Sequence, residues 1–382
     1  MGLPLKGVTV VDLSRVLAGP FSTMTLGDLG ADVIKIEHPE RGDDTRDWGI
    51  QIAPKDTSYY LSFNRNKRSV TLDLATEDGR EMVRSLCAGA DVVVENFKAG
   101  GMEKFGLGYD TLRQLNPRLI YCAISGYDRK GHEAARPGYD LVIQGESGIM
   151  SINGEAGQQP LKFGVAAVDL FTGMYAAQAI LAALFERYRT GRGRRIDLAL
   201  YDCGIMISSY YGLEALVQEK DPPRYGNAHP SIVPYGVFDA SDGPVVIAVG
   251  TNRQFRDLCG LLGQSELADD PRFATNLERA ANRDLLLEIL SPLLASRSRD
   301  SLLSALAGVG IPCGEVLGLH EALTGKRTSD AGLIGEHPHP AGFSIPVYSS
   351  PWRFDGERLP VRRPPTLGEQ NEEIRAQFRI GE

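Results

Sequence analysis

The chain has 382 residues, which is long enough for two domains or for one large domain with an insertion. Hydrophobic residues make up 42% and charged residues 24% of the sequence, as in an ordinary globular α/β protein, so a disordered or fibrous chain is excluded. The formal net charge of -8 argues against nucleic acid and acidic membranes as partners, because such surfaces are bound through an excess of Lys and Arg.

The five cysteines are widely spaced, odd in number and without a CxxC pair or an adjacent histidine, which indicates neither a disulfide framework nor a metal site. The first residues lack the basic region, apolar stretch and cleavage site of a secretory signal. No run approaches the ~18 uninterrupted apolar residues that span a bilayer. We therefore expect a soluble cytoplasmic protein with no metal and no membrane partner.

The first half of the chain alternates apolar β-rich runs with helices. Residues 7–37 are predicted as strand, loop, helix and strand, and the loop lacks the GxGxxG motif of dinucleotide-binding proteins. Further predicted elements are strands at 69–74, 90–97 and 119–127, helices at 79–89 and 109–115, a long helix at 170–190 and a strand directly after it. This alternation predicts a parallel sheet that is covered by helices on both faces.

The second half has a different texture from about residue 225 onward. The turn Ser241-Asp242-Gly243 between two β-rich runs predicts an antiparallel hairpin, and helical segments are predicted over 252–306. The proline-rich stretch 337–367 predicts an extended connection before a final helix at 371–378.

Several spaced blocks together resemble the class III (CaiB/BaiF) coenzyme A transferase family, which also contains formyl-CoA transferase and α-methylacyl-CoA racemase. The blocks are VLAGPFSTMTLGDLGADVIKIEHPERGD, NRNKRSVTLDL, RPGYD and VDLFTGMYAAQAILAALFERYRTGRG. The resemblance implies a Rossmann-like large domain over 1–200, completed by about 345–382, and a smaller α+β domain over 225–325. It also implies linkers at 201–224 and 326–344, and an interlocked homodimer.

The resemblance implies that Asp169, in GVAAVDLFTG, is the nucleophile of the reaction. A carboxylate is ionised at neutral pH and can attack a thioester carbonyl without a partner base, which agrees with that role. The attack would give an aspartyl-acyl anhydride and then an aspartyl-CoA thioester. The alternative interpretation is an N-cap, because Asp directly before a helix is a preferred cap residue.

Tyr139 and Asp140, in RPGYD, match the Tyr and acidic residue that the family places beside the reacting carboxylate. The racemase branch has a His at the position of Tyr139 and uses it as an acid or base, so the resemblance favours transfer over racemisation. The alternative for Tyr139 alone is a buried aromatic residue with a satisfied hydroxyl. An acyl-CoA isomerase and a non-catalytic acyl-CoA-binding protein remain as rival interpretations.

Coenzyme A enters as a substrate, and no permanently bound cofactor is implied. The resemblance implies that CoA is bound by Val16, Ala18, Leu72, Asp73, Asn96, Phe97 and Lys104. His38 and Arg136 are further candidates for CoA binding, and the alternative for Arg136 is an ordinary solvated arginine. The phosphates need cations such as Lys104, and the pantetheine arm needs an apolar surface. The sequence departs from formyl-CoA transferases at four contact positions, where it has Leu17, His38, Ala75 and Pro137.

The blocks GDDTRDWG, SYYLSFNRNKRS and NAHPSIVPY resemble succinyl-CoA:dicarboxylate transferases of the glutarate type. The oxalate branch carries a glycine-rich insertion that is absent between Leu216 and Gly250. A dicarboxylate needs a partner for its distal carboxylate, and the planar fork of Arg suits that task. The candidates are Arg65 first, followed by Arg15, Arg46, His229 and Arg279; a structural ion pair or a phosphate contact is the alternative for Arg65.

Overall fold

A computed structural model describes residues 2–378 of the chain. These residues form two compact units, which are described separately below. The larger unit holds residues 2–149, 162–217 and 326–378, and the smaller unit holds residues 150–161 and 218–325.

The strands, in chain order, are β1 (Thr9–Asp12), β2 (Asp32–Glu37), β3 (Gln51–Ala53), β4 (Asp56–Thr57), β5 (Lys67–Thr71), β6 (Val92–Glu95), β7 (Ile120–Ser125), β8 (Arg195–Ala199), β9 (Tyr235–Ala240), β10 (Gly243–Ala248), β11 (Cys313–Glu315), β12 (Ile334–Pro338) and β13 (Ser344–Tyr348).

The helices, in chain order, are α1 (Ala18–Asp28), α2 (Ser58–Phe63), α3 (Glu77–Gly89), α4 (Gly101–Lys104), α5 (Tyr109–Leu115), α6 (Asp140–Glu146), α7 (Ala167–Thr190), α8 (Leu200–Ile207), α9 (Ser209–Gln218), α10 (Asn252–Leu261), α11 (Asn276–Ala281), α12 (Arg283–Ala295), α13 (Arg299–Gly308), α14 (Leu319–Thr324), α15 (Lys326–Asp330) and α16 (Asn371–Phe378). Short 3₁₀ turns occur at Asp44–Asp47 and Ser265–Ala268.

A six-stranded parallel sheet organises the larger unit, with the strand order β5-β2-β1-β6-β7-β8. The predicted parallel sheet is therefore confirmed. The order reverses direction at β1 and β6, and ligands of open α/β sheets bind beyond the carboxyl ends of the strands at such a reversal. The segments that follow β1 and β6 are thus the expected walls of a site.

Helices cover both faces of this sheet because alternate strand residues point to opposite sides. Val10, Val92 and Ile120 belong to one buried cluster, which also includes residues of α1 and α7. Val11, Val93 and Tyr121 belong to a second cluster, which includes residues of α3 and α5. The strands are apolar on both faces, as expected for a sheet that is buried on both sides.

The last helix of the chain packs on the edge strand β5. Ile374 is fully buried in the second of these clusters, which also includes residues of α3. The side chain of Asn371 accepts a hydrogen bond from the backbone N–H of Thr71 at 2.8 Å, and that of Gln370 accepts one from Ser69 at 2.8 Å. The final segment therefore covers a sheet edge that would otherwise present unpaired backbone groups.

The smaller unit contains the predicted hairpin, with β9 and β10 antiparallel and Val245 opposite Phe238. β11 extends it to a three-stranded sheet in the order β11-β10-β9. Apolar residues of α10, α12 and α13 pack on the sheet and form the core of this unit.

The structure differs from the predicted segments in three places. The stretch 337–367 is not simply extended, since β12 and β13 pair as an antiparallel hairpin. The expected linker 201–224 is mostly helical, with α8 and α9. Residues 150–161 belong to the smaller unit, where the guanidinium of Arg224 donates to the backbone carbonyl oxygens of Ser151 and Glu155.

One helix among residues 2–378, α7, is long and apolar enough to cross a membrane by length and composition alone. Core helices of soluble proteins meet the same criterion, so this is weak evidence for a membrane span.

Candidate active site

A cavity of about 490 Å³ lies in the larger unit beyond the carboxyl ends of β1, β6 and β7. Asp169 and Tyr139 both line it, so the structure brings together two of the three predicted catalytic residues. Six of the predicted CoA-binding residues also line this cavity: Val16, Ala18, Asn96, Phe97, Lys104 and Arg136.

A second cavity of about 320 Å³ contains the other three predicted CoA-binding residues, His38, Leu72 and Asp73. Arg15 and Phe97 line both cavities, so the two spaces adjoin. The ring of Phe97 lies under the Arg15 guanidinium, 5.4 Å from its carbon to the ring centroid. This row of apolar and cationic groups suits a long ligand with an apolar arm and an anionic end.

Asp169 is the third residue of α7, so the interpretation of this residue as an N-cap is wrong. The N-cap residue is Ala166, which supplies no side-chain hydrogen bond. The Asp140 carboxylate caps the start of α7 instead, since its Oδ1 accepts hydrogen bonds from the backbone N–H groups of Val168 at 2.8 Å and Asp169 at 3.3 Å. The side chain of Asp169 is left available to the cavity.

Close contact between α1 and α7 places Asp169 beside the loop after β1. A Cβ atom on Gly173 would lie 2.6 Å from the carbonyl oxygen of Ala18, so only glycine permits this approach. Gly19, in the first turn of α1, likewise permits a close approach to the loop, because an added Cβ would lie 2.2 Å from the Cβ of Ser14. The loop and the carboxylate therefore share one cavity.

Burial, followed by the negative charge of Asp140, raises the pKa of Asp169 to about 7. A carboxylate with few solvating groups around it is a better nucleophile than a hydrated one, and near neutral pH half of the groups are ionised. Tyr139, which is 61% exposed, is not the buried aromatic that the alternative interpretation required.

We expect kcat/KM to rise with pH through a midpoint of about 7, because only the ionised form of Asp169 can attack. An Asp140→Asn variant keeps an oxygen for the two backbone N–H groups but loses the charge, so its midpoint should lie below that of the unchanged enzyme. The measurement is a pH-rate profile. Asp202→Asn is the control, since Asp202 is the exposed third residue of α8. An unshifted midpoint in Asp140→Asn would contradict the assignment.

Arg65 forms a structural ion pair, which argues against its predicted contact with the substrate. Its guanidinium donates to both carboxylate oxygens of Asp28, at 2.9 and 2.5 Å, and only 8% of the residue is exposed. The alternative that Arg65 pairs with an acidic residue is the one that the structure supports.

Arg46 is also unavailable to a substrate, because it is fully buried. Its guanidinium donates to Glu37 at 2.7 and 2.8 Å and to Asp56 at 2.7 Å, and it stacks 3.6 Å from the ring centroid of Tyr60. Buried charges need such complete pairing. This site therefore stabilises the fold.

Arg279 of the smaller unit is likewise fully buried and donates to the carbonyl oxygens of Val233 at 2.7 Å and Phe273 at 2.8 Å, which excludes the predicted substrate role. His229 also belongs to the smaller unit, and its role stays a prediction. Four candidates were named before Arg279, and of these Arg15 lines the cavity that contains Asp169, whereas Arg65, Arg46 and His229 do not.

Three predicted CoA-binding side chains, those of Lys104, Arg136 and His38, differ in how much of their hydrogen-bonding capacity is already used. Lys104 is exposed at the end of α4. Arg136 pairs with Glu133 at 2.7 Å and with Glu146, and its guanidinium stacks on Tyr127. His38 accepts hydrogen bonds at Nδ1 from the backbone N–H groups of Glu40 and Arg41.

Sequence reasoning missed an aromatic group near Asp169. Burial, and then the charges of Asp169 and Asp140, raise the pKa of Tyr59 to about 12. The Tyr59 ring contacts those of Trp48 and Phe63, with centroid distances of 5.8 and 5.7 Å. The only signal in the sequence is the spacing of Tyr59 and Phe63 on one face of a short helix.

Within residues 2–378, no group of three or more His, Cys, Asp and Glu side chains is arranged to hold a metal ion. All five cysteines are free thiols, and burial raises the pKa of Cys87 to about 12.

Comparison with known proteins assigns the family. The sequence profile of CoA-transferase family III matches residues 5–371. The chain belongs to this family. It is 42% identical to the succinate--glutarate CoA-transferase of Agrobacterium fabrum, over 98% of this chain and 96% of that protein. It is 40% identical to the human succinyl-CoA:glutarate CoA-transferase, over 95% of this chain and 83% of that protein.

A crystal structure of a CAIB/BAIF family protein from Brucella suis has the same fold. It superposes with a TM-score of 0.87 at 45% identity, covering 99% of this chain and 100% of that chain. The predicted family membership is thus confirmed, and the CoA-transferase has an α/β fold with a large parallel sheet and smaller antiparallel sheets.

Proposed function

We propose that this CoA-transferase moves CoA from succinyl-CoA to a dicarboxylate, with Asp169 as the covalent nucleophile. The names of the two similar transferases from Agrobacterium fabrum and human support the donor and the acceptor class. The observation that carries the mechanism is the Asp169 carboxylate, which lines the cavity, is not used as a cap and has a pKa of about 7.

The first half-reaction converts succinyl-CoA into a thioester between Asp169 and CoA. The Asp169 carboxylate attacks the thioester carbonyl of succinyl-CoA, the carbon–sulfur bond breaks, and a succinyl-aspartyl anhydride and the CoA thiolate form. The thiolate then attacks the aspartyl carbonyl. Succinate leaves and an aspartyl-CoA thioester remains.

The second half-reaction runs the same chemistry in reverse. The carboxylate of the acceptor attacks the aspartyl thioester, releasing CoA thiolate and forming a new anhydride. The thiolate attacks the acceptor's carbonyl, and Asp169 leaves as a carboxylate. Each step exchanges one acyl bond for another, so no external oxidant, reductant or water is consumed.

The two adjoining cavities provide the place for CoA in this proposal. The cavity of Asp169 holds the reacting end, and the cavity with His38 and Leu72 takes the far end of the ligand. Exposed Lys104 is a cation for the phosphates. Incubation with succinyl-CoA and a panel of acids, including glutarate and oxalate, with mass detection of new thioesters, tests the function directly.

Arg15 is the proposed partner of the acceptor's distal carboxylate. Its side chain is 47% exposed and lies 3.4 Å from Asp44, a weak surface pair that a substrate carboxylate can replace. It also lines the cavity that contains Asp169. The planar guanidinium can donate two parallel hydrogen bonds to a carboxylate.

An Arg15→Met variant should raise the KM for glutarate about 10-fold or more, while the KM for a monocarboxylate such as butyrate changes less than about threefold. Steady-state kinetics with both acceptors measures this. Arg136→Met is the matched control, because a contact with CoA should affect both acceptors alike. Equal changes in both KM values for Arg15→Met would reject the assignment.

An acyl-CoA isomerase is the second candidate function. Racemisation needs two groups that exchange a proton at the α-carbon. Within residues 2–378, no histidine lines the cavity of Asp169. Uptake of solvent deuterium at the α-carbon without exchange of CoA would favour the isomerase, and thioester exchange without deuterium uptake favours the transferase. Turnover of either kind contradicts a non-catalytic binding protein.

A homodimer and a cytoplasmic location complete the proposal. α8 and α9 expose large apolar side chains, including Met206 at 63%, Leu213 at 65% and Leu216 at 79%. Patches of this kind mark protein interfaces, and a second copy of the chain is the partner that we propose, in the interlocked arrangement. Light scattering of the purified protein tests the dimer, and cell fractionation tests the location.

A further inference from the structure

The chain between β1 and α1 contains a strained residue. Val16 has a φ of 70°, in the left-handed region, which β-branched residues occupy very rarely. Such strain persists only where the surroundings hold it in place. Val16 and its neighbours Leu17 and Ala18 form the wall of the cavity that contains Asp169.

Asn96 holds the residue before Val16 at both of its backbone polar groups. Its side-chain oxygen accepts a hydrogen bond from the N–H of Arg15 at 2.9 Å, and its side-chain nitrogen donates to the carbonyl oxygen of Arg15 at 2.7 Å. Asn96 directly follows β6, which pairs in parallel with β1. The carboxyl ends of the two strands therefore bring the amide to the loop.

A buried ion pair holds the loop from the other side. Lys35 and Asp43 are both fully shielded from solvent and lie 2.8 Å apart. The Lys35 ammonium also donates to the carbonyl oxygen of Ser14 at 3.0 Å, and the second oxygen of Asp43 accepts from the N–H of Val16 at 3.2 Å. Lys35 is fixed in the central sheet, on β2.

Burial alone would raise the pKa of Asp43, but the charge of Lys35 and hydrogen bonds from Thr45 hold it below its ordinary value. The carboxylate therefore stays an acceptor at neutral pH. Together, the three side chains bind all four polar groups of the two peptide units between Ser14 and Val16. A segment with neither helix nor strand geometry is thereby fully satisfied.

We propose that Asn96, Asp43 and Lys35 are positioning residues for CoA, which fix the backbone of Arg15 and Val16 in the left-handed turn against which the ligand packs. This inference rests on the proposed place of CoA beside Val16 and Ala18. In this proposal Asn96 does not contact CoA directly, as predicted, but acts on CoA by holding the loop. Both the oxygen and the nitrogen of its side-chain amide already form hydrogen bonds with the backbone of Arg15.

Asn96→Ala tests the inference, because Asn96 is only partly buried and its loss should leave the fold intact. Titration calorimetry with CoA should show a dissociation constant raised about tenfold. Adding Val16→Gly to Asn96→Ala should restore the constant to within about threefold of the unchanged protein, because glycine adopts a φ of 70° without a steric penalty. Adding Val16→Ala instead should not restore it, since alanine keeps the Cβ.

Unchanged CoA binding in Asn96→Ala would overturn the inference. So would a failure of Val16→Gly to restore CoA affinity in the Asn96→Ala background, because that result is expected if Asn96 contacts CoA directly. Phe97→Ala separates this from a wrong location of CoA, because it removes a ring from both cavities and leaves in place the side chains that hydrogen-bond to the loop backbone. If Phe97→Ala and Asn96→Ala both bind CoA normally, the proposed location of CoA is wrong. If Phe97→Ala binds CoA poorly and Asn96→Ala binds it normally, only the positioning role is wrong.

Discussion

Replacing Asp169 with alanine should lower kcat for CoA transfer by at least about 10⁴-fold, since removal of a covalent nucleophile costs factors of about 10⁴ to 10⁶. The carboxylate has no substitute in the proposed reaction, because every intermediate is bonded to it. The measurement is the rate of glutaryl-CoA formation from succinyl-CoA and glutarate. With the unchanged enzyme, hydroxylamine should trap a modified peptide that contains residue 169.

Asp202→Ala is the matched control for this variant. Asp202 occupies the same third position of its helix, α8, but is exposed, so its replacement should leave kcat within about threefold of the unchanged enzyme. Transfer at the ordinary rate in Asp169→Ala would refute the covalent mechanism. The same holds if hydroxylamine modifies no peptide in that region during turnover.

Arg46→Met should destabilise the protein by about 3–5 kcal/mol, because it leaves buried Glu37 and Asp56 without their cation. For a chain of this size that corresponds to a fall in melting temperature of about 5 °C. Thermal unfolding followed by circular dichroism measures it. The cause is the uncompensated charge and not the loss of volume, since methionine fills much of the same space.

Arg192→Met is the control for Arg46→Met, because Arg192 is exposed and its replacement should change the stability by less than about 0.5 kcal/mol. A melting temperature of Arg46→Met equal to that of the control, combined with a raised KM for glutarate, would restore Arg46 as a substrate residue and contradict the structural assignment.

The sheet and the hairpin of this protein could be predicted because their signals are local. Alternating apolar runs define the parallel strands, and a three-residue turn defines the pairing of β9 and β10. The short helix α6 was missed, since its seven residues carry no clear period. The place of residues 150–161 depends on hydrogen bonds from Arg224, about 70 positions later, which no local pattern can indicate.

Part of the candidate site could also be predicted, because the family resemblance covers the residues around it. The resemblance places Asp169 and Tyr139, and both lie in one cavity. The sequence could not rank the arginine candidates, because it shows a charge but not its partner. Arg65 pairs with Asp28, 37 residues earlier, and this pairing argues against a contact between Arg65 and the substrate. Arg15, which came second, is exposed because its neighbouring acid Asp44 lies at the surface.

The raised pKa of Asp169 limits how heat-resistant this enzyme can become. An unfolded chain gives up this proton near pH 3.8, whereas the folded chain keeps it up to about pH 7, so folding grows less favourable as the pH rises between those values. Above pH 7 the ionised carboxylate costs the native state at most about 4 kcal/mol. Selection for thermostability alone would therefore favour uncharged residues at position 169 and enrich inactive proteins.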